Sequence, residues 1–260
     1  MSSLHHEIAG PADAPVVLLG HSLGTDVRMW DAQVPALAQR FRVVRFDHRG
    51  QGRSPVPPGP YEIADLAGDV LALMDDLGIE RAHHCGLSIG AMVAMWLGAR
   101  APGRVDRLVL LCTSAHHAPA SAWADRAAAV LAAGTTEPVA DSVVDRWLTP
   151  AFAAAHPQVR AVVRAWLVAS PPAGYAACCG AIERMDLRGD LPRIAAPTLV
   201  VAAAGDPATP PEHQRLIADR IPGARLELLA DAAHLATAEQ PEAVTRLILE
   251  HLTEERSAMR

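Results

Sequence analysis

Lysine is missing from this chain: across 260 residues all 23 cationic side chains are arginine. That excludes Schiff-base chemistry on a lysine and a phosphate-binding loop, whose motif needs one. Aromatic residues make up only 4% of the sequence, so any apolar pocket must be lined mostly by aliphatic groups and a few tryptophans. The four cysteines (Cys85, Cys112, Cys178 and Cys179) form no C-x-x-C pair and no spaced metal pattern. Cys85 and Cys112 lie in apolar runs and read as buried thiols, which fits a reduced, cytoplasmic setting. No apolar run is long enough to span a bilayer. The opening "MSSLHHEIAG" lacks the basic and apolar regions of a signal peptide. There is no basic excess either: the net charge of -6 argues against nucleic acid as a partner.

What the chain does contain is apolar residues in quantity, 50% against 20% charged, enough for a substantial core. Short β-branched runs recur between turn residues at 15–20, 41–47, 82–88, 106–112 and 197–205. Helical patterns lie between them. In 61–78 the apolar Ile63, Leu66, Val70, Leu71 and Met74 follow a period near 3.6, and 30–40 and 91–102 read similarly. Strands alternating with helices predict an α/β fold with a mainly parallel sheet covered on both faces. Residues 116–195 break this rhythm, being Ala-rich and helical without a convincing strand. They are expected to form an inserted helical cap, with 1–115 and 196–260 as the core. The rhythm resumes through 212–221 and 225–234 to a last helix near 241–253.

In "CGLSIGAM" a serine stands between two glycines where a strand pattern closes and a helix pattern opens. Ser88 admits two readings, a helix N-cap or the nucleophile of a G-x-S-x-G turn. A serine nucleophile needs a base and an orienting acid, because its hydroxyl barely ionises at neutral pH. On a sheet of this kind they follow in the order Ser, Asp or Glu, His. Asp206 in "AAGDPATPP" and His234 in "LLADAAHLA" supply that order, each after a strand, and favour the catalytic reading of Ser88. An Asp in Gly-Asp-Pro is also a turn former. Asp231 lies too near His234 in sequence to come from a separate strand end. The oxyanion of such a reaction needs backbone donors. The N–H of Ile89 should be one; Leu23 in "LLGHSLGTD" should present the other, with Gly20 and Gly24 allowing close approach.

Two other chemistries fit poorly. His83–His84 and His116–His117 suggest a metal, but neighbours on a strand face opposite ways and no carboxylate or Cys completes a set. "HRGQGRSP" has Gly50 and Gly52, but Pro55 stands where a dinucleotide fingerprint needs its third glycine.

With "GHSLGTD", "FDHRGQGRS", "CGLSIGAM", "GDPATPP" and "DAAHLA" in that order, the chain resembles the α/β-hydrolases over essentially its whole length. More narrowly it is similar to the 3-oxoadipate enol-lactonases of the β-ketoadipate pathway, through "SLGTDVRMWDAQVPAL", "GPYEIADLAGDVLALMDDLGI", "CGLSIGAMVAMWL" and "GYAACCGAIERMDLR". It departs at His21-Ser22, where His-Gly is common, and at Ala91, where many relatives have a second glycine. The resemblance implies a Ser88–His234–Asp206 triad opening an enol-lactone in aromatic-compound catabolism, on a small-molecule lactone or ester, without metal or organic cofactor. Ser22, Trp123 and Trp147 are candidates to contact the substrate. Arg28, Arg184 and Arg188 are candidates for its free carboxylate. A carboxylesterase or C–C bond hydrolase with the same triad, or a non-catalytic ligand-binding protein on this scaffold, are the alternatives.

Overall fold

The computed structural model describes residues 4–254; the ends of the expected core, 1–3 and 255–260, lie outside them. Seven strands form one sheet in the order β1-β3-β2-β4-β5-β6-β7. They are β1 (His6–Ala9), β2 (Val16–Gly20), β3 (Arg42–Phe46), β4 (Ala82–Leu87), β5 (Val105–Leu111), β6 (Thr198–Ala203) and β7 (Arg225–Leu229). Only β1 runs antiparallel to its neighbour. The inner strands are buried on both faces, as Val17, Leu18 and Leu19 in β2 and Leu108 to Leu111 in β5 show. That is why they read as unbroken apolar runs rather than alternating ones. β1 escapes the sequence pattern because it is an edge of four residues, none of them buried. β7, the other edge, leaves Leu228 exposed.

Helices cover both faces. α1 (Val34–Leu37) is shorter than its apolar pattern suggests. Pro35 is tolerated only in a first turn, so the helix cannot begin earlier, and Val27–Trp30 forms a separate 3-10 turn that buries Trp30. α2 (Ile63–Asp76) starts where the Asp65 carboxylate accepts the Glu62 N–H at 2.8 Å. It buries Ile63, Leu66, Val70 and Met74 as their spacing predicts. α3 (Ile89–Arg100) is apolar on nearly every side because it lies against the middle of the sheet.

Between β5 and β6 come five helices: α4 (Ser121–Ala133), α5 (Glu137–Trp147), α6 (Pro150–Ala155), α7 (Pro157–Val168) and α8 (Pro172–Arg184). One isolated bridge, His116 to Asp186, stands where this segment leaves and rejoins the rest. Its buried side chains, among them Val144, Leu167 and Tyr175, are continuous with those under the sheet, so one apolar core serves both layers. α9 (Pro211–Arg220), α10 (Ala236–Glu239) and α11 (Pro241–Thr253) complete the chain. No described helix is long and apolar enough to cross a membrane.

Candidate active site

Ser88 stands alone between the end of β4 and the start of α3, with φ 57 and ψ -118. This left-handed backbone costs a non-glycine residue roughly 1–3 kcal/mol. Neighbouring bonds hold it. Its N–H donates to the Leu111 carbonyl at 3.0 Å, and its own carbonyl accepts the Thr113 hydroxyl at 2.9 Å. An N-cap serine would have extended backbone and a hydroxyl turned to the helix; Ser88 has neither, so the capping reading fails. The flanking glycines serve close packing of α3 on the sheet. A Cβ on Gly86 would lie 2.3 Å from the Gly90 backbone, and one on Gly90 would lie 2.3 Å from the Gly20 carbonyl oxygen.

Asp206 follows β6 and His234 follows β7, parallel neighbours whose ends bring the two loops together. His234 Nδ1 donates to Asp206 Oδ2 at 2.8 Å, and the Thr209 hydroxyl donates to the same oxygen at 2.7 Å. The other oxygen accepts the N–H groups of Ala208 and Thr209 at 2.8 and 3.0 Å. Burial pushes the Asp206 carboxyl up, but the nearby His234 and the hydrogen bonds outweigh it and hold the group below its ordinary value. Asp206 is therefore a fixed anion at neutral pH. Asp231, by contrast, is exposed, and its carbonyl accepts Gln240.

After β2, the Ser22 carbonyl accepts three donors: His21 Nδ1 at 2.8 Å, the Thr25 hydroxyl at 2.8 Å and the Thr25 N–H at 3.1 Å. The His48 N–H donates to His21 Nε2 at 3.1 Å, which assigns the Nδ1–H tautomer. Burial keeps both His21 and His48 neutral by lowering their pKa values. The Ser22–Leu23 peptide is trans, so pinning its carbonyl on one side turns the Leu23 N–H to the other. That N–H meets no acceptor among the described residues. As the first residue of α3, Ile89 likewise has an N–H outside the helical ladder.

Ser22, Leu23, Ser88, Trp123, Trp147 and His234 line one cavity, an empty space of about 430 Å³ partly open to solvent. The same walls carry residues the sequence reading did not select: His117, Arg126, Arg146, Tyr175 and Thr209. Arg126 lies one helical turn after Trp123 on α4, a same-face spacing that was available in the sequence. Its guanidinium sits 4.4 Å from the Trp123 ring centroid. Arg146 precedes Trp147 on α5; burial, reinforced by the charge of Arg126, lowers its pKa. Neither forms an ion pair with a carboxylate among the described residues.

The three arginines expected for the carboxylate are engaged elsewhere. Arg28 pairs with Asp26 at 2.5 Å, Arg188 with Asp186 at 2.6 Å, and Arg184 donates to the Tyr61 carbonyl at 2.5 Å. None of them lines the cavity. Arg28 lies on the 3-10 turn Val27–Trp30, Arg184 ends α8, and Arg188 belongs to the turn that follows α8.

The histidine pairs separate as strand and loop geometry requires. His84 Nε2 reaches the Arg104 carbonyl at 3.4 Å, while His83 meets Phe41 edge-on with ring centroids 5.6 Å apart. His116 turns to the Met185 carbonyl and His117 to the cavity. No three His, Cys, Asp or Glu side chains cluster as a metal site among the described residues.

Two of these imidazoles give an acid-stability prediction. Burial, chiefly, lowers His84 to about 4 and His117 to about 3. Both folded values lie below the ordinary 6.5, so the unfolded chain binds the extra protons between them. Stability is then complete above that ordinary value and falls as pH drops below it. By pH 5 each should remove about 2 kcal/mol relative to pH 7. Urea unfolding at the two pH values checks this. The loss should shrink in a His84→Gln, His117→Phe double variant; an equal loss there would contradict it.

A family model described as alpha/beta hydrolase fold matches residues 15–147, and one described as TAP-like protein matches 178–258. 3-oxoadipate enol-lactonase 2 of Acinetobacter baylyi is 36% identical, over 95% of this chain and 91% of its own length. A Stutzerimonas stutzeri protein named for carbamate hydrolysis (RutD) is 31% identical, over 97% of each chain. The crystal structure of the enol-lactonase from Burkholderia xenovorans LB400 superposes with a TM-score of 0.94 at 42% identity, covering 96% of both chains. The sheet, the strained serine turn and these likenesses agree: the chain belongs to the α/β-hydrolase family.

Proposed function

We propose that this hydrolase opens the lactone ring of 3-oxoadipate enol-lactone through a covalent acyl-enzyme on Ser88. The observation that carries the reading is one cavity lined by Ser88, by a histidine that a buried carboxylate orients, and by two arginines that form no ion pair with a carboxylate among the described residues. The first two are the means of acyl transfer. The arginines suit a substrate that brings its own negative charge.

Ser88 Oγ attacks the lactone carbonyl while His234 Nε2 takes its proton. Asp206 keeps the Nδ1–H tautomer that leaves Nε2 free to do so. The carbonyl oxygen, now negative, accepts the N–H groups of Leu23 and Ile89. Collapse breaks the ring C–O bond, and His234 returns the proton to the leaving enol oxygen. The enol stays tethered to the acyl-enzyme and would close the ring again; tautomerisation to the ketone removes that nucleophile. A water deprotonated by His234 then attacks the acyl carbon, Ser88 recovers its proton, and the diacid leaves. The helices between β5 and β6 act as a cap, with Trp123 and Trp147 forming an apolar wall and Arg126 and Arg146 holding the free carboxylate. No step requires a metal or organic cofactor.

Each charge-assisted contact of this kind is worth about 1.5–3 kcal/mol. Changing Arg126 or Arg146 to glutamine should therefore raise KM for the enol-lactone roughly 10–100-fold, while kcat/KM for a neutral aryl acetate changes less than about threefold. Equal losses on both substrates would show that the arginines serve the fold or the triad instead.

The likeness to a protein named for carbamate hydrolysis favours a second reading, in which a carbamate presents its carbonyl to the same serine. Specificity constants for the enol-lactone, a carbamate and simple esters test the choice. The lactone should lead; a clear preference for either of the others would end the lactonase reading and leave the serine mechanism standing.

A further inference from the structure

Glu239 ends α10, five residues after His234, and its side chain turns inward, with 9% of the residue exposed. No arginine forms an ion pair with it among the described residues. Its carboxylate is occupied instead by two loops from different layers. One oxygen accepts both the N–H and the hydroxyl of Thr149, at 2.8 and 2.7 Å. The other accepts the Ala233 N–H at 2.5 Å. Thr149 belongs to the turn between α5 and α6, two residues after the cavity-lining Trp147. Ala233 directly precedes His234.

A second bond runs parallel to this bridge: the Leu235 N–H donates to the Trp147 carbonyl at 2.9 Å. The main chain is thus tied to the α5–α6 turn on both sides of His234. The acid loop meets the same point, since the Gly205 N–H donates to the Ala232 carbonyl at 2.9 Å. A Cβ on Gly205 would lie 3.0 Å from that carbonyl oxygen and 3.4 Å from Thr149 Cγ2. The Asp206 loop thus packs against the histidine loop and Thr149, the two segments that the Glu239 carboxylate ties together.

Resting on the serine mechanism above, we propose that Glu239 is a positioning residue: it locks the α5–α6 turn to the histidine loop, so that seating the cap over a substrate and aligning His234 are one event. All three contacts to Glu239 are donors, and two are backbone N–H groups that cannot turn round. Only a group that accepts at both ends satisfies them. An ionised carboxylate does; an amide of the same shape does not, because its NH2 must face either Thr149 or Ala233.

The test is Glu239→Gln, with Thr149→Val and Thr149→Ser beside it. In folded Glu239→Gln, kcat should fall 10–100-fold with KM changed less than threefold. The rate at which a serine-directed phosphonate modifies Ser88 should fall by the same factor. The low-field proton resonance of the His234–Asp206 hydrogen bond should shift or broaden, a response that a merely structural role would not give. Thr149→Val, which loses one of the three donors, should show a three- to tenfold loss, and Thr149→Ser should restore it. Wild-type kcat, labelling rate and resonance in Glu239→Gln, with at most a lower Tm, would overturn the proposal. If Glu239→Gln does not fold, Thr149→Val decides: unchanged kcat and labelling in that variant would overturn it equally. Failure of the wild-type protein to label at Ser88 would defeat the serine mechanism itself, a different result from equal labelling in wild type and variant.

Discussion

Replacing Ser88 with alanine is expected to lower kcat by on the order of 10⁴–10⁶, since removing a nucleophile costs most of the chemical acceleration of a serine enzyme. The fold should not notice. Alanine at φ 57 carries the same backbone strain as serine, and the bonds holding the turn come from main-chain groups of residue 88 and from Thr113. Circular dichroism and Tm should match the wild type while turnover of every ester and lactone disappears. A folded variant retaining more than about 1% of wild-type kcat would mean that another group attacks.

The second large effect is expected from Asp206→Asn, about 10⁴ in kcat by the general behaviour of such triads. One Asp206 oxygen accepts two backbone N–H groups, those of Ala208 and Thr209. An asparagine must put its carbonyl oxygen there, because its NH2 would confront two donors. The NH2 then faces His234 Nδ1, which now has to accept. That forces the proton onto Nε2, the atom that receives the proton of Ser88 in the proposed mechanism. Structure and substrate affinity should change little, so the loss should fall in kcat rather than KM. A kcat within tenfold of wild type would show that His234 takes its orientation from elsewhere.

Both predictions concern residues that could be found in the sequence, and the reason is physical. A strand-to-helix turn that packs a helix hard on a sheet demands glycines at fixed spacing, and Gly86 and Gly90 betray it. Inner strands buried on both faces announce themselves as apolar runs, and Asp206 and His234 lie in the loops that follow two strands. Edge strands carry no such signal. β1, with no buried residue, was not anticipated at all.

The rest of the cavity wall was less legible. Arg126 and Arg28 look alike as letters; what distinguishes them is which helix face meets the cavity and whether a carboxylate is in reach. Asp26 beside Arg28 and Asp186 beside Arg188 are local partners that settle those two side chains. Arg126 and Arg146 are set by the packing of α4 and α5 over the sheet. Glu239 was illegible for the same reason: its partners lie 90 residues away at Thr149 and six away at Ala233, and only folding puts them together.

The most direct test of the account is mass-spectrometric mapping of the protein after reaction with an aryl phosphonate, in wild type and in His234→Ala. The account predicts a single stoichiometric adduct on Ser88 in the wild type, and labelling slowed by at least a thousandfold without the imidazole that takes the proton. An adduct on any other residue, or equally fast labelling of Ser88 in His234→Ala, would contradict it.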